Sequence, residues 1–350
     1  MSRDIALQNI NLKPAARWAH TEYSLNYHHD YIRAKTGLDP ATPAATTAFN
    51  QAWQIDFNWS INDGLHGNWG KFGRSTDMGH AAYAADGSDQ TAIVESPFKT
   101  PEDVWAFDAV AEYGLPDKAA QVAAYQKSID NARLNSPDQL TTGGYYKTLV
   151  SGAIQAFGWD MFLMALSEPE RMVPVFDSFF QQTLFHMQCW AETDVEVVIQ
   201  HDDFVWSSGA FMHPDIYHRE IIPRYAQLWK PLHAAGKKVL FCSDANFMDF
   251  AEAVADAGAD GFIFEPMTSF EFMVERFGSS HCLVGSCVDC RDLTLGHTDQ
   301  LDADIDRTIA LLARCRGAIV AVGNHLPPNI PPAMMDRYIH RLLPQLTRHA

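Results

Sequence analysis

The chain predicts an α/β fold, a TIM (β/α)8 barrel with an N-terminal helical elaboration. Two observations carry that prediction. From about residue 140 onward, short apolar runs alternate with helix-length amphipathic segments, joined by short connections. Several of the apolar runs also stop abruptly in Cys, Asp, Glu or His, which places reactive groups at the carboxyl edge of a parallel sheet. A doubly wound sheet is the alternative, but no GxGxxG follows a strand here.

The elements follow in order. Ile55–Ile61 reads as a first strand ending at Asn62-Asp63-Gly64, and Thr91–Glu95 as a further N-terminal candidate or hairpin arm. Tyr145–Val150 reads as a strand, followed by helices through Met161–Leu166 and Val173–Cys189. Val195–Gln200 is the next strand and ends in His201-Asp202-Asp203, with a long helix near Pro214–Ala235. Val239–Phe241 leads into Cys242-Ser243-Asp244 and a helix at Phe247–Ala257. Phe262–Phe264, Cys282–Gly285 and Ile319–Val322 are strands, with helices near Phe270–Phe277, Leu301–Cys315 and Pro332–Leu343. That makes seven strands, and a segment near the N-terminus has to supply the eighth. The chain reads as one domain over 1–350, with 1–50 as the elaboration and 51–350 as the barrel.

Composition narrows the function. An apolar fraction of 47% supports a sizeable core, and a formal net charge of −17 argues against nucleic acid and anionic membranes as partners. No run of 18 apolar residues predicts a membrane span, and the start lacks the regions of a signal peptide. Six cysteines do not make a disulfide framework, so a reduced, cytoplasmic protein is expected. Cys287-Val288-Asp289-Cys290 has CxxC spacing without a second pair, and reads as the end of a strand.

Candidate chemistry gathers at the strand ends. Cys242, Asp244, Glu265 and Asn324-His325 close three strands that a barrel brings to one mouth. Thiolate, carboxylate and imidazole there suit zinc or another divalent metal. The structural alternative is a small core residue at Cys242, a helix N-cap at Asp244 and an Arg partner at Glu265. His201 with Asp203 forms a candidate acid/base pair, and Asp202 is a candidate substrate contact. Side chains alternate along a strand, so one of the two carboxylates faces the mouth, and the other is free to cap a helix or turn. Asp63 sits among glycines that allow close approach of a ligand or simply make a turn. Trp59, Trp206 and Phe211 are candidate pocket walls, and Asn324 a further substrate contact.

The run Gln200-His201-Asp202-Asp203 through Phe211–Tyr217 to Ile222-Pro223-Arg224-Tyr225 resembles the uroporphyrinogen decarboxylase and corrinoid-methyltransferase superfamily. Ala235–Leu240 fits it too, as does Gly323–Pro331, which resembles the family's closing loop. The resemblance covers the chain from about residue 140 to its end. It implies a TIM barrel, a homodimer, and a site at the carboxyl mouth. The family's decarboxylases carry an Arg-Gln-Ala-Gly-Arg run that binds substrate carboxylates, and Arg17–Tyr23 lacks it. Asp63 falls where those enzymes have their catalytic Asp. The family's methyltransferases bind zinc through His-x-Cys and a later Cys. The matching positions here are Cys242, Asp244 and Asn324 or His325, with Glu265 where related zinc enzymes have a Glu. The resemblance therefore implies a metal-assisted methyltransferase or demethylase acting on a small molecule, with a methoxylated aromatic as one conceivable substrate. A corrinoid acceptor would arrive on a partner protein. The alternative is decarboxylation of a porphyrinogen or smaller acid without metal, using Asp63.

Overall fold

The structure is a computed structural model that describes residues 2–60, 69–76 and 95–348, and the backbone of 82–83 and 89–90. Eight short parallel strands form its centre. They are β1 (Ala19–His20), β2 (Phe57–Asn58), β3 (Leu140–Thr141 continued by Gly143–Tyr145) and β4 (Val197–His201), followed by β5 (Lys238–Cys242), β6 (Gly261–Ile263), β7 (Cys282–Val284) and β8 (Ala318–Val320). Parallel pairing runs β1-β8-β7-β6-β5-β4-β3, and the first segment of β3 pairs with β2. The ring closes where the Asp56 N–H donates to the His20 carbonyl at 2.9 Å, linking β2 to β1. The fold is a TIM barrel, as the sequence predicts.

Residue alternation divides the core in two. Val197, Ile199, Leu240, Cys242, Ile263, Val284 and Ile319 fill the barrel interior. Their neighbours Val198, Val239, Phe241, Phe262, Leu283 and Val320 face outward, in one cluster with the helix layer. The helix Ser2–Ile10 closes the amino end, adding Ala6 and Ile10 to the interior cluster. It is tied there by the Arg3 N–H on the Asp138 carbonyl (2.7 Å) and the Ala318 N–H on Asn9 Oδ1 (3.3 Å).

The structure departs from the sequence expectation in several places. The eighth strand is Ala19–His20, inside the segment read as an elaboration; two residues are too short to show a hydrophobic period. The strand expected at Tyr145–Val150 lies earlier, and Leu149–Phe157 is helical. Gly143 holds the true strand because a Cβ there would stand 2.7 Å from Cε3 of Trp190. The segment 91–94, within the N-terminal candidate Thr91–Glu95, lies outside the described residues, and a short antiparallel pair joins Ala82–Tyr83 to Asp89–Gln90. The helix expected at Pro214–Ala235 is present but takes a π turn at Tyr217–Ile221. All six cysteines are buried, and none is in a disulfide. Among the described residues, no helix is long and apolar enough to cross a membrane.

Candidate metal centre

The inward-facing series on β4 and β5 change character as they reach the mouth. On β4 it runs Val197, Ile199, His201 and then Asp203; on β5 it runs Leu240, Cys242 and then Asp244. The two strands are neighbours with His201 opposite Cys242, so Asp203 and Asp244 fall on the next rung. One ligand atom from each of His201, Asp203 and Asp244 lies within 4.8 Å of the others.

Asp203 is the hub of this cluster. Its Oδ1 meets His201 Nε2 at 2.9 Å and accepts the Asp244 N–H at 3.1 Å. Its Oδ2 accepts the Tyr146 hydroxyl at 2.9 Å, and its own N–H donates to Ser151 Oγ at 2.7 Å. The Tyr146 ring packs 4.5 Å from the His201 ring. Burial works against a charged His201, but Asp203 and Cys242 together outweigh it and raise the imidazole well above its ordinary value. Asp203 is likewise penalised by burial, and His201 nevertheless holds it below the usual carboxylate range. Without a metal the two form an ion pair.

The donor set fits a divalent ion: one imidazole and two carboxylates suit zinc or a harder divalent cation. His201 Nδ1 is buried with no hydrogen-bond partner among the described residues, so the ring keeps a nitrogen not committed to the fold.

Among the described residues, the group close enough to share an ion joins Asp244 to His201 and Asp203, and does not include Cys242, Glu265 or His325. Cys242 sits one layer deeper, 1% exposed, and burial pushes its thiol up to about 11 in the metal-free protein. Glu265 Oε1 accepts the Ala245 N–H at 2.7 Å, and Oε2 accepts Asn324 Nδ2 at 2.9 Å. Burial raises its carboxyl, against the pull of those two donors. His325 Nδ1 is hydrogen-bonded to Ser24 Oγ, and its ring lies 4.6 Å from Tyr23. Of the four expected ligands, Asp244 alone joins the cluster.

Two of the residues expected to contact substrate are tied into hydrogen bonds of the fold. Asp202 is fully buried on the opposite face of β4 from His201 and Asp203. It accepts the N–H groups of Val150 (3.1 Å) and Ser151 (2.7 Å) and the Tyr225 hydroxyl (2.7 Å), so it caps the helix Leu149–Phe157. Asn324 donates to Glu265, and its Oδ1 accepts the His325 N–H at 2.6 Å.

The aromatic walls are placed as follows. Trp206, 42% exposed, stands 5.6 Å from Phe211, and both pack on Trp159. Trp59 lies 5.0 Å from Tyr23, with its Nε1 buried and unpartnered among the described residues. Asp63 lies outside the described residues. Sequence reasoning missed Tyr146, Ser151 and Trp159. For Tyr146 the signal is its place one residue past the end of a strand, at Tyr145.

Comparison with known proteins agrees with this architecture. A family model described as "Uroporphyrinogen decarboxylase (URO-D)" matches residues 87–342. No curated protein sequence matches the chain. Among solved structures, a methyltransferase from Methanosarcina mazei is similar over 97% of both chains, with a TM-score of 0.66 and 13% sequence identity. At that identity the likeness speaks for the fold, whereas the family model spans well over half of the sequence; this chain belongs to the uroporphyrinogen decarboxylase (URO-D) family.

Proposed function

We propose that this protein is a metal-assisted methyltransferase or demethylase acting on a small molecule, with His201, Asp203 and Asp244 holding a divalent ion. The observation that carries the reading is the convergence of those three groups at the barrel mouth, within 4.8 Å of one another. The solved methyltransferase of the same fold supports it. A bound divalent cation supplies Lewis-acid polarisation of the heteroatom that carries or receives the methyl group. Tyr146, donating to Asp203 Oδ2, fixes the carboxylate's orientation beside the imidazole. To hold a metal, His201 would have to be neutral, because metal and proton compete for ring nitrogen. Trp159, Trp206 and Phe211 offer an apolar wall beyond the polar cluster, and Trp59 Nε1 offers a donor to a substrate oxygen. These features favour a methoxylated aromatic as substrate and a corrinoid carried by a partner protein as one methyl acceptor. On this reading the whole chain is one catalytic unit, homodimeric and cytoplasmic.

Metal analysis of the purified protein tests the reading. About one divalent ion per chain is expected, lost in Asp244→Ala, together with demethylation of methoxylated aromatics in the presence of cob(I)alamin. Wild-type protein that binds no Zn2+, Mn2+ or Co2+ would refute it. The family match favours a second reading, decarboxylation of a porphyrinogen or smaller acid at the same mouth. Carbon dioxide release from uroporphyrinogen by metal-free protein, abolished in Asp63→Ala, would establish that reading instead.

A further inference from the structure

We infer that Glu265 is the positioning residue of this centre: one buried carboxylate that sets the loop carrying Asp244 and the loop carrying His325 at the same time. The inference rests on the metal reading above for what is positioned, and on the hydrogen-bond pattern for how. Glu265 is 9% exposed and ends the inward series of β6, next to β5. Its two oxygens take one donor each, the Ala245 N–H at 2.7 Å and Asn324 Nδ2 at 2.9 Å. The Asp244 N–H is held in turn by Asp203 at 3.1 Å. Consecutive amides on either side of the Asp244 carbonyl are therefore anchored by two different carboxylates.

The backbone shows that this anchoring is demanding. Ala245 adopts φ +69°, a left-handed conformation that a residue with a Cβ rarely takes. Its carbonyl also accepts the Thr268 hydroxyl at 2.8 Å, so both backbone polar groups of Ala245 are tied to the loop after β6. On the other side, Asn324 passes the constraint on: its Nδ2 serves Glu265, and its Oδ1 accepts the His325 N–H at 2.6 Å. Asn324 follows Gly323 at φ +89°, where a Cβ would meet the Phe264 carbonyl oxygen at 2.1 Å. The chain Ala245–Glu265–Asn324–His325 thus spans three loops, and its donor and acceptor polarity is specified at every link. An ionised carboxylate accepts only, which is what two facing donors require.

That polarity supplies the test. Glu265→Gln keeps the size but turns an NH2 toward the NH2 of Asn324. Asn324→Asp in the same chain restores the match: the new amide donates to the new carboxylate, whose other oxygen still accepts the His325 N–H. Zn2+ affinity is measured by competition with a chromogenic chelator, and the visible spectrum is recorded with Co2+ in its place. Glu265→Gln is expected to retain one site per chain, with affinity weakened roughly 10- to 100-fold, the usual effect of losing an outer partner of a metal ligand, and with shifted Co2+ bands. The double variant is expected to recover the wild-type affinity and spectrum. An unchanged single variant, or a double variant no better than the single, would overturn the inference. Amide hydrogen exchange at Ala245 and His325 gives a readout that needs no metal. Both should exchange faster in Glu265→Gln and slow again in the double variant. If wild type and Asp244→Ala take up metal alike, the metal reading fails. The exchange rates then decide alone whether the brace exists, and unchanged rates would refute it.

Discussion

Replacing Asp202 by alanine removes the acceptor of three buried donors: the N–H groups of Val150 and Ser151 and the hydroxyl of Tyr225. A buried donor left unsatisfied costs about 1–3 kcal/mol, so the three together span roughly 3–9 kcal/mol. Burial raises the Asp202 carboxyl against the pull of these same partners, so its charged form carries a desolvation penalty that alanine relieves. The expected loss therefore sits toward the lower end, on the order of 4 kcal/mol, in the range reserved for broken buried networks. Asp202→Asn is the control. Its amide oxygen still accepts both helix N–H groups, and the Tyr225 hydroxyl rotates to accept from the new NH2, for a loss of about 1 kcal/mol. Urea unfolding followed by tryptophan fluorescence measures both variants, with Zn2+ affinity measured on the folded proteins. Asp202→Asn should bind metal as wild type does. A variant of wild-type stability that had lost metal or substrate binding would put Asp202 in the site and refute its assignment as a helix cap. So would a loss below about 1 kcal/mol in Asp202→Ala.

The His201–Asp203 pair makes the metal-free protein pH-sensitive. Asp203 is held below its ordinary 3.8, so its contribution is present above that value and fades as pH falls through the lowered one. His201 is raised above its ordinary 6.5, so its contribution is complete below 6.5 and is lost as pH rises through the higher folded value. The pair therefore stabilises fully from about pH 4 to 6.5, and thermal melting of metal-free protein should show the decline above that window. Zn2+ affinity should move the opposite way, rising with pH as the proton leaves His201, and calorimetry in buffers of different ionisation enthalpy will count the proton released. Arg17→Ala leaves Asp56 buried after losing a two-point contact at 2.5 and 2.7 Å, with a cost of about 3–5 kcal/mol readable by urea unfolding. Gly323→Ala drives a methyl group to 2.1 Å from the Phe264 carbonyl and strains a left-handed residue; a loss of more than about 1 kcal/mol is expected by the same assay, with weakened metal binding.

The barrel was legible in the sequence because its strongest signals are local. Apolar runs at Val195–Gln200, Val239–Phe241 and Phe262–Phe264 show where strands run, and the helix Phe270–Phe277 ends where its periodicity ends. The mouth was legible for the same reason, since a strand's carboxyl end is read directly from where apolar residues give way to polar ones. Ala19–His20 was not, because a two-residue strand exists only through pairing with β8 and the Asp56 N–H, both distant in sequence.

Which of the mouth residues meet was a tertiary decision. Residues two apart on one strand share a face, so His201 and Asp203 were bound to be neighbours from sequence alone. That Asp244 joins them depends on the register of β4 against β5, which no local pattern encodes. The roles of Glu265, Asn324 and Asp202 depend on which backbone N–H groups lie in reach, and those come from three loops and a helix start brought together by barrel closure. Sequence by itself therefore determined that this chain builds a parallel barrel with carboxylates and imidazoles at one rim. Only the packed structure decided which of those groups face one another as a candidate metal centre and which are hydrogen-bonded into the loops behind it, because a carboxylate's role follows from the donors around it.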